Sequence, residues 1–337
     1  MPDCITSKKI KLYPTLLLLL LVFITAVRYW TQDFDTQQAI PRTLLAYPQN
    51  EVLFFESTLC SSPNTPIMPP PNNNIHCPQK PIVTVKQMGR LGNQMYEYIS
   101  VWALANMTGR EPYVPSCMIQ ELGKIFRNLP VPPLSYLAYC PVQEYPVAVT
   151  VDKVDHSNGS IILPNYIQLP TYITPLLSEI RHIFRFKEHI TDESQKLLHR
   201  ASRGMKNITY VGVHVRRTDY IGYLKRKFNA SPVTSDYFLR QMNVFRNKYK
   251  RVMFVVVSDD PEWCERELNG DDVVVMKTNS PVQDLAIMAA CNHSIIDYGT
   301  YGVWGAILSG GDTFIYNLTS SSPCKLASLL PNWYIVT

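Results

Sequence analysis

The chain has 337 residues, 46% hydrophobic and 18% charged, which excludes a globally disordered protein and leaves ample material for a large core. A formal net charge of +5 with no run of five or more Lys or Arg excludes a dedicated nucleic-acid surface, while a modestly basic pocket for an anion stays open.

Lys8, Lys9 and Lys11 precede an apolar stretch, Leu12 to Val27, and Arg28, Tyr29 and Trp30 follow it. Counted through Trp30 the stretch reaches roughly the 20 residues needed to cross hydrocarbon. The aromatic pair suits the interface, and the excess of positive charge on the N-terminal side keeps that end cytosolic. A cleavable signal peptide is the other reading, but it meets Arg28, Tyr29 and Trp30 where a small-residue cleavage site is needed. Residues 1–11 are therefore expected as a cytosolic tail, 12–30 as a transmembrane signal-anchor, and everything beyond as luminal.

N-glycosylation sequons fit that compartment: they begin at Asn106, Asn158, Asn207, Asn229, Asn292 and Asn317, with Pro232 after Ser231 disfavouring Asn229. Seven cysteines fall in the luminal part, Cys60, Cys77, Cys117, Cys140, Cys264, Cys291 and Cys324, free to pair in an oxidising lumen. No CxxC metal pattern occurs, and the spacing does not fix the connectivity. Cys264 and Cys291, at the ends of neighbouring β-α units, can pair or be held apart. Residues 31–80, rich in Pro, Asn, Gln and Thr and culminating in Met68-Pro69-Pro70-Pro71-Asn72-Asn73-Asn74, read as an extended stem.

The folded part, 81–337, opens with the β-type run Ile82 to Val85, then Gly89-Arg90-Leu91-Gly92-Asn93, then a helix with Met95, Ile99, Trp102 and Met107 expected roughly on one face. The glycine loop admits two readings, a cradle of backbone N–H groups for an anion or a tight turn that needs glycine. From residue 208 onward, strand-like runs at 210–215, 252–257, 273–276, 294–297 and 313–316 alternate with helical stretches near 235–246 and 281–291. Apolar strands separated by short helices predict an α/β fold whose parallel sheet is covered on both faces.

Ligands of such sheets bind beyond the carboxyl ends of the strands. Those positions hold His214 to Asp219, Ser258-Asp259-Asp260, and Gly299-Thr300-Tyr301-Gly302. Adjacent Arg216 and Arg217 leave the strand toward different sides, so one suffices for a phosphate, which a guanidinium grips with a planar fork. The competing account locks both arginines into ion pairs with Asp219 and another carboxylate. Asp259-Asp260 can be read as metal ligands, or as a strand end and helix cap with Pro261 early in the helix. Trp304, within an apolar helix, reads as core packing rather than a sugar-stacking ring.

The motifs Gly89-Arg90-Leu91-Gly92-Asn93-Gln94-Met95, His214-Val215-Arg216-Arg217-Thr218-Asp219-Tyr220 and Cys291-Asn292-His293-Ser294-Ile295 running into Gly299-Thr300-Tyr301-Gly302-Val303-Trp304 resemble, in order and spacing, the galactoside 2-alpha-L-fucosyltransferase family, glycosyltransferase family 11. The His-Val-Arg-Arg element is shared with α1,6- and protein-O-fucosyltransferases, whereas the combination points to the α1,2 family.

The resemblance implies a GT-B-like arrangement of two Rossmann-type halves facing a cleft, an acceptor side over about 81–205 and a GDP-fucose side over about 206–337. It implies inverting transfer of L-fucose from GDP-β-L-fucose to the 2-hydroxyl of a terminal β-galactoside on a glycoprotein or glycolipid. No cofactor or obligatory metal is implied, and the expected location is the Golgi membrane, as a single-pass type II protein. Arg216 is then the catalytic cation at the β-phosphate. His214, Arg217, Asp219, Asp259, Thr300 and Tyr301 are expected on the donor side, with Arg90, Gly92 and Asn93 on the other wall. A related enzyme with another acceptor, or a silent luminal sugar-binding protein, stands as the alternative.

Overall fold

Valine-rich runs bounded by short helices build two parallel sheets in the computed structural model, which describes residues 49–61, 76–141 and 145–337. The tail, the stretch at 12–30 expected to cross the membrane, Cys4 and the Pro-Asn run at 68–74 lie outside the described residues. Among the described residues no helix is long and apolar enough to cross a membrane.

The strands are β1 (Ile82–Val85), β2 (Glu111–Pro112), β3 (Val147–Ala148), β4 (Ile161–Leu163), β5 (Thr209–Val215), β6 (Val252–Ser258), β7 (Val273–Val275), β8 (His293–Ile296), β9 (Thr313–Tyr316) and β10 (Trp333–Val336). The helices are α1 (Gln49–Thr58), α2 (Leu91–Thr108), α3 (Ser116–Gly123), α4 (Pro170–Ile173), α5 (Leu177–Ile183), α6 (Glu188–Ala201), α7 (Thr218–Phe228), α8 (Ser235–Lys248), α9 (Pro261–Glu267), α10 (Pro281–Ala290), α11 (Thr300–Ser309) and α12 (Ser322–Ala327).

The smaller sheet has the order β2-β1-β4-β3 and the larger one β10-β9-β8-β5-β6-β7, every pairing parallel. Counted from β5, the larger sheet runs 3-2-1-4-5-6, the dinucleotide-fold order, whose direction of winding reverses between β5 and β8. Parallel strands joined by helical crossovers must be covered on both faces, and the period of two along a strand sorts their side chains. Met253, Val255 and Val257 face α10 and α11, whereas Phe254 and Val256 face α8 and α9. This sorting places Cys291 in one core and Cys264 in the other, so the two stay apart. Both are free and buried, as is Cys324.

Two expectations about boundaries change. Within residues 31–80, expected as an extended stem, Gln49–Thr58 instead forms α1, with Val52 and Leu59 packed beside Ile82, Tyr113, Leu134 and Leu137. Cys60–Cys117 and Cys77–Cys140 disulfides fasten the segment to the fold. Buried Glu56 accepts a 2.6 Å hydrogen bond from Ser116 N–H. Nor does the chain divide by packing near 205, because α6 contributes Ile190, Leu198 and Ala201 to the core shared with β6 and α10.

α2 is buried from Met95 to Ala105, except for half-buried Trp102, since the smaller sheet and α11 enclose it. Met107, expected with Met95 and Ile99, is exposed at its end. α2 meets α11 through Tyr96 and Trp304, with ring centroids 4.8 Å apart, and Phe184 lies 5.1 Å from Trp304. Trp304 is fully buried, the core residue that its apolar helix predicts.

Candidate active site

The winding reversal of the larger sheet puts the β5–α7 and β8–α11 loops side by side. One buried carboxylate joins them. Asp297, just past β8, accepts from Arg216 N–H through Oδ2 at 2.6 Å and from Tyr298 N–H through Oδ1 at 2.7 Å, and that same Oδ1 lies 3.3 Å from His214 Nδ1. Burial pushes its carboxyl above the usual range, opposed by His214 and these hydrogen bonds.

The Arg216 side chain extends from this anchored backbone to Asp219, at 2.5 Å, and to Asp259, at 3.1 Å. Arg90, from the glycine loop, reaches the same Asp219 at 3.2 Å. Two guanidinium groups thus converge on one carboxylate. Asp219 is 51% exposed and Arg90 77%, so this pairing contributes only about 0–1 kcal/mol. An incoming dianion displaces it at little cost. The ion pairs of Arg216 therefore do not exclude phosphate binding.

Arg217 leaves on the other side. Its Nε lies 3.2 Å from Asp260 Oδ2 and its guanidinium sits 4.0 Å over the Trp263 ring, which commits it to structure rather than to the cleft. Asp260 caps α9 by accepting from Trp263 N–H at 3.2 Å. Asp259 accepts from Arg217 N–H at 2.8 Å and from the Thr218 hydroxyl, besides pairing with Arg216. The aspartate pair thus shapes the β5–α7 loop, and among the described residues no cluster of three or more His, Cys, Asp or Glu is placed to hold a metal ion.

The opposite wall is the start of α2. Here the glycine loop is a close-approach site: a methyl added at Gly92 would stand 2.8 Å from Thr300 Oγ1 and 2.9 Å from Tyr301 N. Asn93 Oδ1 accepts from the Thr300 hydroxyl at 3.0 Å. The Tyr301 phenol donates to Pro281 C=O, tying α11 to α10. Thr300 and Tyr301 therefore spend their side chains on the scaffold, and what they offer a ligand is backbone N–H. Neither α11, after Gly299 at φ 86°, nor α2, after Arg90, has a side-chain cap. Two helix N-termini with unsatisfied donors lie against each other, next to Arg90 and within one ion pair of Arg216, an arrangement that can bind phosphate oxygens.

His214, expected near a nucleotide, is instead buried beneath the first turn of α11, where a methyl on Gly302 would stand 2.6 Å from its Nδ1. Sequence reasoning missed Asp297, which sits inside an apolar run, and also Glu97. Glu97 lies fully buried behind the glycine loop and accepts from Met88 N–H at 3.0 Å and Tyr166 N–H at 2.8 Å. The only signal for it is a carboxylate three residues after Gln94 on an apolar helix face.

Burial pushes the Glu97 carboxyl up to about 7, against those two hydrogen bonds. The folded state then holds the proton more tightly than the unfolded chain, so stability is full below about 4.5 and declines as pH rises through about 7. The expected loss is on the order of 2–3 kcal/mol. Thermal melting at pH 5 and pH 7.5 checks it: Glu97→Gln removes the titration and shrinks the difference, and an unchanged difference assigns the slope to another group.

The candidate glycosylation residues Asn106, Asn158, Asn207, Asn229, Asn292 and Asn317 are all exposed. Asn292 Oδ1 accepts from Tyr210 N–H at 2.9 Å, and Ser294 of that sequon is buried in β8.

A family model described as glycosyl transferase family 11 matches residues 55–337. Galactoside 2-alpha-L-fucosyltransferase Sec1 of Mus musculus is 34% identical over 81% of this chain and 77% of its own length. Galactoside alpha-(1,2)-fucosyltransferase 2 of Pongo pygmaeus is 35% identical over 75% of this chain and 78% of its own. A solved structure of an Arabidopsis thaliana FUT1 mutant in complex with GDP aligns with a TM-score of 0.46 at 13% identity, covering 73% of each chain. On the strength of the family match and these relatives, the chain belongs to glycosyl transferase family 11, with the galactoside 2-alpha-L-fucosyltransferases as its relatives.

Proposed function

We infer that this chain transfers L-fucose from GDP-β-L-fucose to the 2-hydroxyl of a terminal β-galactoside on a glycoprotein or glycolipid, with inversion at the fucose anomeric carbon. The observation that carries the reading is Arg216, held by Asp297 at the point where the winding of the larger sheet reverses, beside the uncapped start of α11. Breaking the bond between fucose and GDP builds negative charge on the β-phosphate. A fixed guanidinium there stabilises the transition state more than the ground state. Arg90 and the N–H groups of the two helix starts share the diphosphate charge, and Asp219 is the carboxylate that the diphosphate replaces.

In this reading the smaller sheet and the glycine loop form the acceptor wall of a two-halved, GT-B-like cleft. The leaving group is neutralised by arginines and backbone dipoles, so transfer is proposed to proceed without an obligatory metal. The chain is proposed to be a type II Golgi membrane protein with residues 1–11 cytosolic, 12–30 in the bilayer and the catalytic part luminal. Two disulfides and the six exposed sequon asparagines support an oxidising, glycosylating compartment.

The test is fucose transfer by the full-length protein in detergent, with GDP-fucose, a panel of β-galactosides and EDTA, and the product linkage read by NMR. An α1,2-linked product is expected. A product of another linkage, or transfer only to other acceptors, overturns the acceptor assignment, and failure to bind GDP overturns fucosyl transfer itself.

A further inference from the structure

Tyr166 lies outside every motif considered so far. It follows β4 by three residues, at the carboxyl edge of the smaller sheet, where the loop leaving β1 also emerges. Its φ is 56°, the left-handed region that a bulky aromatic residue rarely occupies. Backbone strain of this kind persists only where surrounding structure enforces it. Glu97 supplies that here, binding Tyr166 N–H at 2.8 Å with the carboxylate that also holds Met88 N–H.

The strained backbone does not bury the ring: Tyr166 is 51% exposed. Its edge lies on the glycine loop, since a methyl at Gly89 would meet Tyr166 Cε1 at 2.8 Å and Asn93 Nδ2 at 2.6 Å. Gly89 itself has φ 83°, so both backbones that bring the ring to this place are in the left-handed region. From there the contacts run straight into the candidate site, through Asn93 to Thr300 and through neighbouring Arg90 to Asp219 and Arg216. An exposed ring beside the glycine loop, on the wall facing the phosphate-binding elements, is placed to present its apolar face to the other reactant.

We propose that Tyr166 is the platform on which the acceptor sugar stacks, and that it sets the specificity for the acceptor rather than for the donor. The matching ligand is a pyranoside with an apolar C–H face, as a β-galactoside has, whose hydroxyl edge stays free for the donor. The proposal rests on the fucosyl-transfer reading. The platform needs an aromatic ring and a left-handed backbone together, which separates its role from a purely structural one.

Three variants of the full-length protein test it: Tyr166→Asn, which tolerates the left-handed backbone but lacks the ring, and Tyr166→Phe and Tyr166→Trp, which keep a ring. Steady-state transfer and binding of methyl β-D-galactopyranoside to the GDP-loaded protein, by saturation-transfer NMR, are the readouts. In Tyr166→Asn the acceptor KM is expected to rise about tenfold or more and galactoside binding to fade, with GDP affinity and the acceptor-free hydrolysis of GDP-fucose unchanged. Tyr166→Phe is expected to retain both. Unchanged acceptor KM in Tyr166→Asn overturns the proposal, as does an equal loss in all three variants, or a loss of GDP affinity with the ring. A wild type that binds neither GDP nor galactoside overturns the transfer reading instead.

Discussion

Arg216→Ala is expected to leave a folded protein whose turnover is lower by about two to three orders of magnitude, the scale measured when one preorganised donor to a developing oxyanion is removed. The fold survives because the bond that shapes the loop, Arg216 N–H to Asp297, belongs to the backbone and persists in alanine. What the variant loses are ion pairs to Asp219 and Asp259. The one to half-exposed Asp219 is worth no more than about 1 kcal/mol. Arg216→Lys is expected to recover only part of the activity, since an ammonium offers a point charge in place of the planar fork. Stopped turnover with GDP affinity and melting temperature measured alongside separates chemistry from folding. Activity within a few-fold of wild type would move the leaving-group cation to Arg90.

The largest effect on stability is expected at Trp304. Trp304→Ala removes a fully buried ring that packs on Tyr96 and Phe184, at a cost of about 3–5 kcal/mol. That is a large share of the roughly 5–15 kcal/mol that holds a domain folded, so most of the variant is expected to be retained and degraded before export. Trp304 also donates its Nε1–H to Gly92 C=O at 2.9 Å, at the start of α2. Trp304→Phe keeps most of the packing but removes the indole hydrogen bond to that carbonyl, which keeps its place in the α2 ladder, costing about 0.5–1.5 kcal/mol. It is expected to loosen the glycine loop and to weaken GDP binding before it unfolds the protein. Thermal melting and GDP titration on the purified Phe variant check this. A melting temperature near wild type for both variants would mean that α2 and α11 hold together without the indole.

The larger sheet was legible because a parallel sheet buried on both faces writes itself as uninterrupted apolar runs. β5, β6, β8 and β9 lie within a residue or so of those runs. β10 was not legible, because Trp333–Val336 is short and exposes Tyr334 and Ile335 at the sheet edge. α1 was lost for a different reason. Gln49–Thr58 carries little helical patterning, and what holds it is long-range, a disulfide to Cys117 and the cluster around Ile82. In the site, motif residues were found at the right strand ends, but their division of labour needed coordinates. Adjacent Arg216 and Arg217 look equivalent in sequence, and only the placement of Trp263 and Asp260 shows that Arg217 is occupied. Thr300 and Tyr301, expected on the donor side, have their hydroxyls used by Asn93 and Pro281, a division that the sequence does not reveal. Asp297, Glu97 and Tyr166 act through backbone groups distant in sequence, which no spacing rule exposes.

In the membrane-anchored protein proposed above, the Cys60–Cys117 disulfide, with α1 behind it, also governs how the folded part can be detached. A protease that cuts the chain between residues 61 and 76 leaves the two pieces covalently joined, because Cys60 stays linked to Cys117 on the far side of the cut. Shedding of a soluble enzyme is therefore confined to cuts upstream of Cys60, or made conditional on reduction of that one bond. The stretch that looks in sequence like the natural place to sever the stem is one where severing alone releases nothing.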